Sequence, residues 1–181
     1  MTTGVLVMAY GTPAGPDDIE GYYTHIRRGR PPTLEQLADL IRRYDALGGT
    51  SPMAARTHAQ VAAIDSALQA SGGELVTALG QKHAAPFVED GVTQLVAAGA
   101  ERIIGLVLAP HYSAASVGQY QQRAAAAAAE HSIEFIGVDS WHLLDDLIRF
   151  QAAAVRATLA DLPERTKVVF TAHSLPERVL V

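Results

Sequence analysis

Short apolar runs alternate with amphipathic stretches along this chain, and the alternation constrains its fold more than any other feature. Runs typical of buried strands occupy residues 4–9, 74–79, 102–108 and 133–138, and a fifth begins at Lys167 and leads into His173. Helical patterns lie between them, including residues 86–98, 116–130 and 143–159. Alternating strands and helices need crossover connections. The sequence therefore predicts an α/β fold with a mostly parallel sheet of four to five strands and helices on both faces.

Composition narrows the possible functions. The 181 residues suit one domain, residues 1–181, and 49% hydrophobic content with 18% charged residues indicates a globular protein. A net charge of -5 argues against nucleic acid and anionic membranes as partners. The absence of cysteine excludes disulfides, thiolate metal sites and thiol nucleophiles within this chain. We find no signal peptide and no apolar run of membrane-spanning length, so we expect a cytoplasmic protein without stable membrane insertion.

Side chains that can bind ligands follow every predicted strand. They are Tyr10 after the first, Gln81, Lys82 and His83 after the second, residues 110–113 after the third, residues 139–142 after the fourth and His173 after the fifth. The carboxyl ends of parallel strands meet at one edge of a sheet, where α/β proteins bind their ligands. This pattern predicts a ligand site at that edge.

Tyr10 and His173 are the candidates for metal chemistry. A neutral imidazole binds divalent transition metals or accepts a proton, and a phenolate binds oxidised iron. The structural alternatives are a hydrogen-bonded core tyrosine and a satisfied structural histidine. His83 is equally compatible with a supporting or a structural role. We expect His25, His58 and His131, which lie on predicted helices or at their ends, to be surface or packing residues, because no partner lies at ligand spacing.

A basic cluster, Arg27, Arg28 and Arg30, is followed one helix later by Arg42 and Arg43. The planar guanidinium of arginine binds carboxylates and phosphates well, although a run of basic residues is often a solvated helix end. No GxGxxG motif follows the first strand, so nucleotide binding is disfavoured.

Several blocks resemble the N-terminal half of the ferrochelatase family, in the family's order and across the whole chain. They are residues 8–13 (MAYGTP), 22–30 (YYTHIRRGR), 47–52 (LGGTSP), 108–113 (LAPHYS) and 172–177 (AHSLPE). The tyrosine in MAYGTP is similar to that of the coproporphyrin type, since protoporphyrin-type enzymes have another residue there. The resemblance implies a Rossmann-like chelatase lobe that inserts ferrous iron into coproporphyrin III in haem biosynthesis.

The resemblance also implies residue roles. Tyr10 would be the axial ligand of iron in the product, and His173 would bind incoming iron and accept pyrrole protons. The residues that would line the porphyrin site are Tyr10, Arg27, Arg43, Tyr44, Ser51 and Tyr120. Ferrous iron would be a substrate, no further cofactor is required, and the presence of an iron–sulfur cluster and the oligomeric state are left open.

Ferrochelatases are about twice this length, with two similar α/β lobes around a cleft. By this resemblance, we expect the second lobe of the family, which supplies a glutamate partner for the histidine, to be absent from this chain. Two other functions are compatible with the sequence. One is a sirohydrochlorin or cobalt chelatase that pairs two single-lobe chains. The other is a non-catalytic porphyrin- or haem-binding module.

Overall fold

The computed structural model describes residues 1–171, and it contains a sheet of four parallel strands in the order β2-β1-β3-β4. The strands are β1 (Thr3–Ala9), β2 (Leu75–Gln81), β3 (Arg102–Val107) and β4 (Glu134–Val138). All three strand pairs are parallel, so every connection between neighbours is a crossover. The predicted α/β fold is confirmed.

Six α-helices accompany the sheet among the described residues. They are α1 (Ile19–Ile26), α2 (Leu34–Asp45), α3 (Met53–Ala70), α4 (Val88–Ala97), α5 (Gln119–Glu130) and α6 (Asp145–Ala160). A 3₁₀ turn (Pro16–Asp18) precedes α1, and one turn of π-helix (Ala114–Gly118) precedes α5. The Thr33 side chain accepts a hydrogen bond from the Gln36 N–H and so caps α2. None of the described helices has the length and apolar character needed to cross a membrane.

The main core lies between the sheet and the pair α4 and α5. Leu6 and Met8 of β1 are fully buried there, together with Val92 of α4 and Ala124 of α5. The residues that alternate with them on β1 are also buried, and Val7 has no exposed surface. All seven residues of β1 are buried, as expected for a central parallel strand covered on both faces.

Helix α4 packs unusually close to the sheet at Gly91. A Cβ added to Gly91 would lie 2.6 Å from Leu6 Cδ1 and 2.8 Å from the carbonyl oxygen of Leu79. Only a residue without a side chain permits this approach. The close packing holds α4, and the loop that leads into it, against β1 and β2.

The predicted fifth strand is not formed in the part of the chain that the structure describes. Residues 167–171 are irregular and pair with no strand, and Val169 and Phe170 are 78% and 84% exposed. A buried strand was the wrong prediction for these residues. The apolar run has the composition of a strand, but a strand forms only where a neighbour completes its hydrogen bonds, and the composition of the run does not supply that neighbour.

Candidate functional site

Tyr10, the first residue after β1, lies at the carboxyl edge of the sheet and is 45% exposed. The next residue, Gly11, has a φ of +90°, and a Cβ there would lie 2.9 Å from the Cβ of Ala84. Glycine is needed for both the left-handed backbone and the close approach of the loop after β2. The Tyr22 hydroxyl donates to the Gly11 carbonyl at 3.1 Å, which ties α1 to this turn.

Main-chain hydrogen bonds hold the loop after β2 against the end of β1. The Lys82 N–H donates to the Ala9 carbonyl at 2.9 Å, and the His83 N–H donates to the Tyr10 carbonyl at 3.0 Å. These bonds continue the β1–β2 pairing beyond the last strand residues. The ring centroids of Tyr10 and His83 consequently lie 4.6 Å apart. The structure thus brings together two of the side chains that the strand pattern predicted to meet.

His83 also has a partner that the sequence did not reveal. Its Nδ1 lies 3.0 Å from Nδ1 of His25, which is at the end of α1, so one ring donates to the other. The ring of His25 in turn stacks on Phe87, with centroids 5.3 Å apart. We expected His25 only to pack or to face solvent. It instead joins α1 to the loop that carries His83.

A cavity of about 690 Å³ opens beside this histidine pair. Its lining is formed by Tyr10, His25, Ile26, Arg28, Gly29, Lys82, His83, Ala115 and Gln119. Its volume is within the range of about 300–1,000 Å³ that is common for small-molecule sites. The cavity therefore combines aromatic rings with two cationic side chains at the edge where α/β sheets bind ligands.

Two of the smaller cavities are linked to the first through Tyr10 and Met53. One of about 270 Å³ shares Tyr10 with it and adds Tyr120 and Met53. Another of about 180 Å³ shares Met53 with the second and is lined by apolar side chains together with polar residues of α2 and of the loop before α3. Those polar residues are Arg43, Tyr44 and Ser51. The three cavities thus form a series, with Tyr10 and Tyr120 in the middle.

The series contains five of the six residues that the family resemblance assigns to the porphyrin site, and Arg27 is the exception. The Arg27 guanidinium lies 5.4 Å from the ring centroid of Tyr23, and its Nε donates to the Arg30 carbonyl at 3.2 Å. Its neighbour Arg28 lines the large cavity instead. The backbone of Arg28 has a φ of +58°, so the chain adopts a left-handed turn directly after Arg27. Local sequence pattern does not reveal such a turn.

Burial and neighbouring charges control the protonation of the site. Burial raises the pKa of Tyr10, and the nearby Tyr44 raises it further. Burial also raises the pKa of Tyr120, with a further contribution from Tyr10. Burial lowers the pKa of His83 to about 4, assisted by Lys82, His25 and Arg123. The tyrosines are therefore neutral phenols and His83 is a neutral imidazole near pH 7.

A bidentate ion pair between α5 and α4 supports the loop after β2. Arg123 of α5 donates from Nε and Nη2 to the two carboxylate oxygens of Glu89, at 2.7 and 2.6 Å. Its Nη1 donates to the Lys82 carbonyl at 2.8 Å. The Arg123 hydrogen bonds lower the pKa of Glu89, against the effect of burial. Arg123 therefore anchors the backbone of Lys82, although the sequence patterns did not single it out.

The predicted site residues that follow β3 and β4 do not line these three cavities. The rings of His111 and His142 stack with centroids 4.6 Å apart, at the ends of β3 and β4. The Trp141 indole N–H donates to the Val107 carbonyl at 2.9 Å. His173 lies outside the described residues. Within residues 1–171, no group of three or more His, Asp or Glu side chains is arranged to hold a metal ion.

This geometry suits a flat, largely apolar ligand with anionic substituents. Aromatic side chains in the middle of the cavity series can contact a ring face, and Tyr10 presents an oxygen to it. Arginine and lysine side chains at both ends can bind carboxylates. A nucleotide is a poor match, because the turn after β1 has no phosphate-binding glycine motif.

The chain is similar to a known family model and to several curated relatives. Residues 2–181 match the ferrochelatase family model. The coproporphyrin III ferrochelatase of Oceanobacillus iheyensis is 44% identical over 183 residues, which cover 98% of this chain and 59% of that protein. The corresponding protein of Geobacillus kaustophilus is 44% identical over 186 residues, covering 99% and 59%. Coproporphyrin III ferrochelatase 2 of Bacillus cereus is 42% identical over 182 residues, covering 98% and 57%.

The chain thus spans slightly less than three fifths of the length of these relatives. The family model nevertheless covers almost the entire chain, including the turn after β1, the α1 region and the loop after β2 that build the cavity series. The chain therefore belongs to the ferrochelatase family.

Proposed function

We propose that the chain forms the N-terminal lobe of a coproporphyrin III ferrochelatase, which inserts ferrous iron into coproporphyrin III in haem biosynthesis. The observation that carries the proposal is the cavity series that passes over Tyr10, with cationic side chains at both ends. Coproporphyrin III is a flat ring with four propionates and matches this distribution of aromatic and basic groups. The names of the relatives point to the same substrate.

The proposed chemistry follows from the needs of metallation. The porphyrin must lose two N–H protons while its nitrogens take up the ion. His173 is proposed to receive iron and to accept pyrrole protons, because a neutral imidazole serves both purposes. Arg27, Arg43, Tyr44, Ser51 and Tyr120 are proposed to hold the porphyrin and its propionates. For Arg27, this requires its guanidinium to leave the ring of Tyr23.

Tyr10 is proposed as the axial ligand of iron in the product. The pKa of Tyr10 is raised by burial, so the free chain presents a neutral phenol to the ring face. An iron cation close to the hydroxyl would favour the phenolate, so ligation by Tyr10 would require the phenol proton to be lost to solvent or to a neighbouring base.

The direct test is anaerobic addition of ferrous iron to the purified chain with coproporphyrin III, followed by absorbance. Conversion of the free-base bands to those of Fe-coproporphyrin supports the enzyme. Porphyrin binding without conversion supports a binding module, and conversion of sirohydrochlorin alone supports the other chelatase class. A folded chain that binds no porphyrin contradicts the proposal.

Two variants test the residue roles in the same assay. In a protein that carries both lobes, His173→Ala should abolish metallation and leave coproporphyrin binding within about twofold of the unsubstituted protein, since it removes the proposed proton acceptor and keeps the residues proposed to hold the propionates. Tyr10→Phe should change the absorbance of bound Fe-coproporphyrin, because an oxygen ligand is lost. Unchanged turnover in the first variant, or an identical spectrum in the second, would contradict the assigned role.

A further inference from the structure

Two cationic side chains of the large cavity, Arg28 and Lys82, have no acidic partner within the described residues. The ion pairs of residues 1–171 include neither of them, whereas Arg43 is paired with Asp39 and Arg123 with Glu89. Both side chains line the wall that also carries Tyr10. Like charges gathered at a ligand cavity without a counter-charge favour the binding of an anion.

The chain positions both cations through backbone structure. Arg28 has a φ of +58°, a conformation that is unfavourable for a residue with a Cβ. Such strained residues concentrate at ligand-binding positions. The backbone of Lys82 is held on one side by the Ala9 carbonyl and on the other by the Arg123 guanidinium. Each cation is therefore attached to a constrained backbone beside the cavity.

The surroundings of Lys82 favour an anion over a metal cation. Its ammonium group lies 5.1 Å from the ring centroid of Tyr120. Burial lowers the pKa of Lys82, and the charges of Arg123 and Arg28 lower it further, so the local potential is positive. The carboxylate of Glu89, which Arg123 links to the Lys82 backbone, is already bonded to Arg123 by both oxygens. A carboxylate supplied by a ligand would relieve this repulsion.

We propose that Arg28 and Lys82 form a second carboxylate-binding subsite, which takes a propionate of the substrate at the end of the cavity series remote from Arg43 and Ser51. This inference rests on the proposed function. The placement of Tyr10 supports it, because Tyr10 lines both the cavity of Arg28 and Lys82 and the neighbouring cavity that contains Tyr120. A porphyrin with carboxylates around its whole ring can reach both ends, with its centre over Tyr10.

The test compares two ligands that share a ring and differ in charge. Coproporphyrin III and its tetramethyl ester are titrated into the chain, and porphyrin fluorescence is followed in the same detergent buffer. Arg28→Asn removes the charge with a residue that tolerates left-handed backbone, and Lys82→Gln keeps the length of most of the side chain. Arg149→Gln is the matched control, since Arg149 is an exposed residue of α6. Thermal unfolding confirms that each variant is folded.

Each site variant should weaken coproporphyrin III binding by about ten- to a hundredfold, which is the usual contribution of one hydrogen bond to a charged group. Binding of the ester should change by less than about twofold, because it lacks the charges that the subsite recognises. Lys82→Arg should retain most of the affinity, and Arg149→Gln should be neutral.

Three outcomes overturn the inference, and they can be told apart. Unchanged coproporphyrin III binding in both site variants removes the subsite and leaves the proposed function intact. Equal losses for the acid and the ester mean that Arg28 and Lys82 shape the cavity without recognising a carboxylate. Failure of the unsubstituted chain to bind coproporphyrin III overturns the proposed function, and the subsite with it.

Discussion

Removal of the Arg123 guanidinium tests whether tertiary contacts hold the Lys82 loop in place. Arg123→Ala deletes two hydrogen bonds to Glu89 and one to the Lys82 carbonyl. The side chains of Arg123 and Glu89 are 28% and 47% exposed. The pair should therefore contribute about 1 kcal/mol, between the values for exposed pairs and for buried charged hydrogen bonds. The bond to Lys82 should add about 1 kcal/mol.

We therefore expect Arg123→Ala to lower the free energy of unfolding by about 2 kcal/mol and Glu89→Gln to lower it by about 1 kcal/mol. The double variant should lose about 2 kcal/mol, so the coupling between the two sites should be about 1 kcal/mol. Urea unfolding followed by the fluorescence of Trp141, the one tryptophan in the chain, measures all three values.

Arg149→Ala is the control for loss of an arginine, because this residue forms exposed pairs within α6 and should change stability by less than about 0.5 kcal/mol. The reasoning is refuted if the losses of unfolding free energy in Arg123→Ala and Glu89→Gln sum to the loss in the double variant within about 0.3 kcal/mol. The two residues would then act independently, and the ion pair would not anchor the loop.

Two further predictions concern the core and the histidine pair. Gly91→Ala should destabilise the chain by about 2–3 kcal/mol, because the new Cβ would meet Leu6 and the backbone of Leu79. Gly21→Ala is the matched control. The space around its Cβ is open, so this change should stabilise α1 by about 0.5–1 kcal/mol. The pKa of His83 is about 4 in the folded chain and about 6.5 when unfolded. Between these values the unfolded state takes up a proton and the folded state does not, so stability should fall as pH is lowered from 6.5 to 4. His83→Gln should flatten this part of the stability–pH curve.

Thermal midpoints check the glycine pair, at about 2–4 °C per kcal/mol for a chain of this size. Equal effects of Gly91→Ala and Gly21→Ala would contradict the packing argument. Urea midpoints measured across the pH window check the histidine. A curve for His83→Gln parallel to that of the unsubstituted chain would show that other groups carry the pH dependence.

The α/β fold and the edge that carries the site follow from local sequence. Apolar runs of strand length and amphipathic helical stretches are encoded over a few consecutive residues, and Tyr10 and Lys82 each follow such a run directly. The family blocks are likewise contiguous. Each of these features can be seen without knowing which distant parts of the chain come into contact. The run from Lys167 shows the limit of such patterns, because its composition does not provide a pairing partner.

The sequence by itself thus determined the fold class, the family and the edge of the sheet where ligand-binding side chains collect. Only the tertiary structure decided that β1 lies between β2 and β3, that His25 bonds to His83 across 58 positions, and that Arg28 rather than Arg27 lines the large cavity. The physical reason is the range of the interactions. Periodicity and turn residues act over a few positions, whereas these features depend on packing between distant segments and on one left-handed backbone angle.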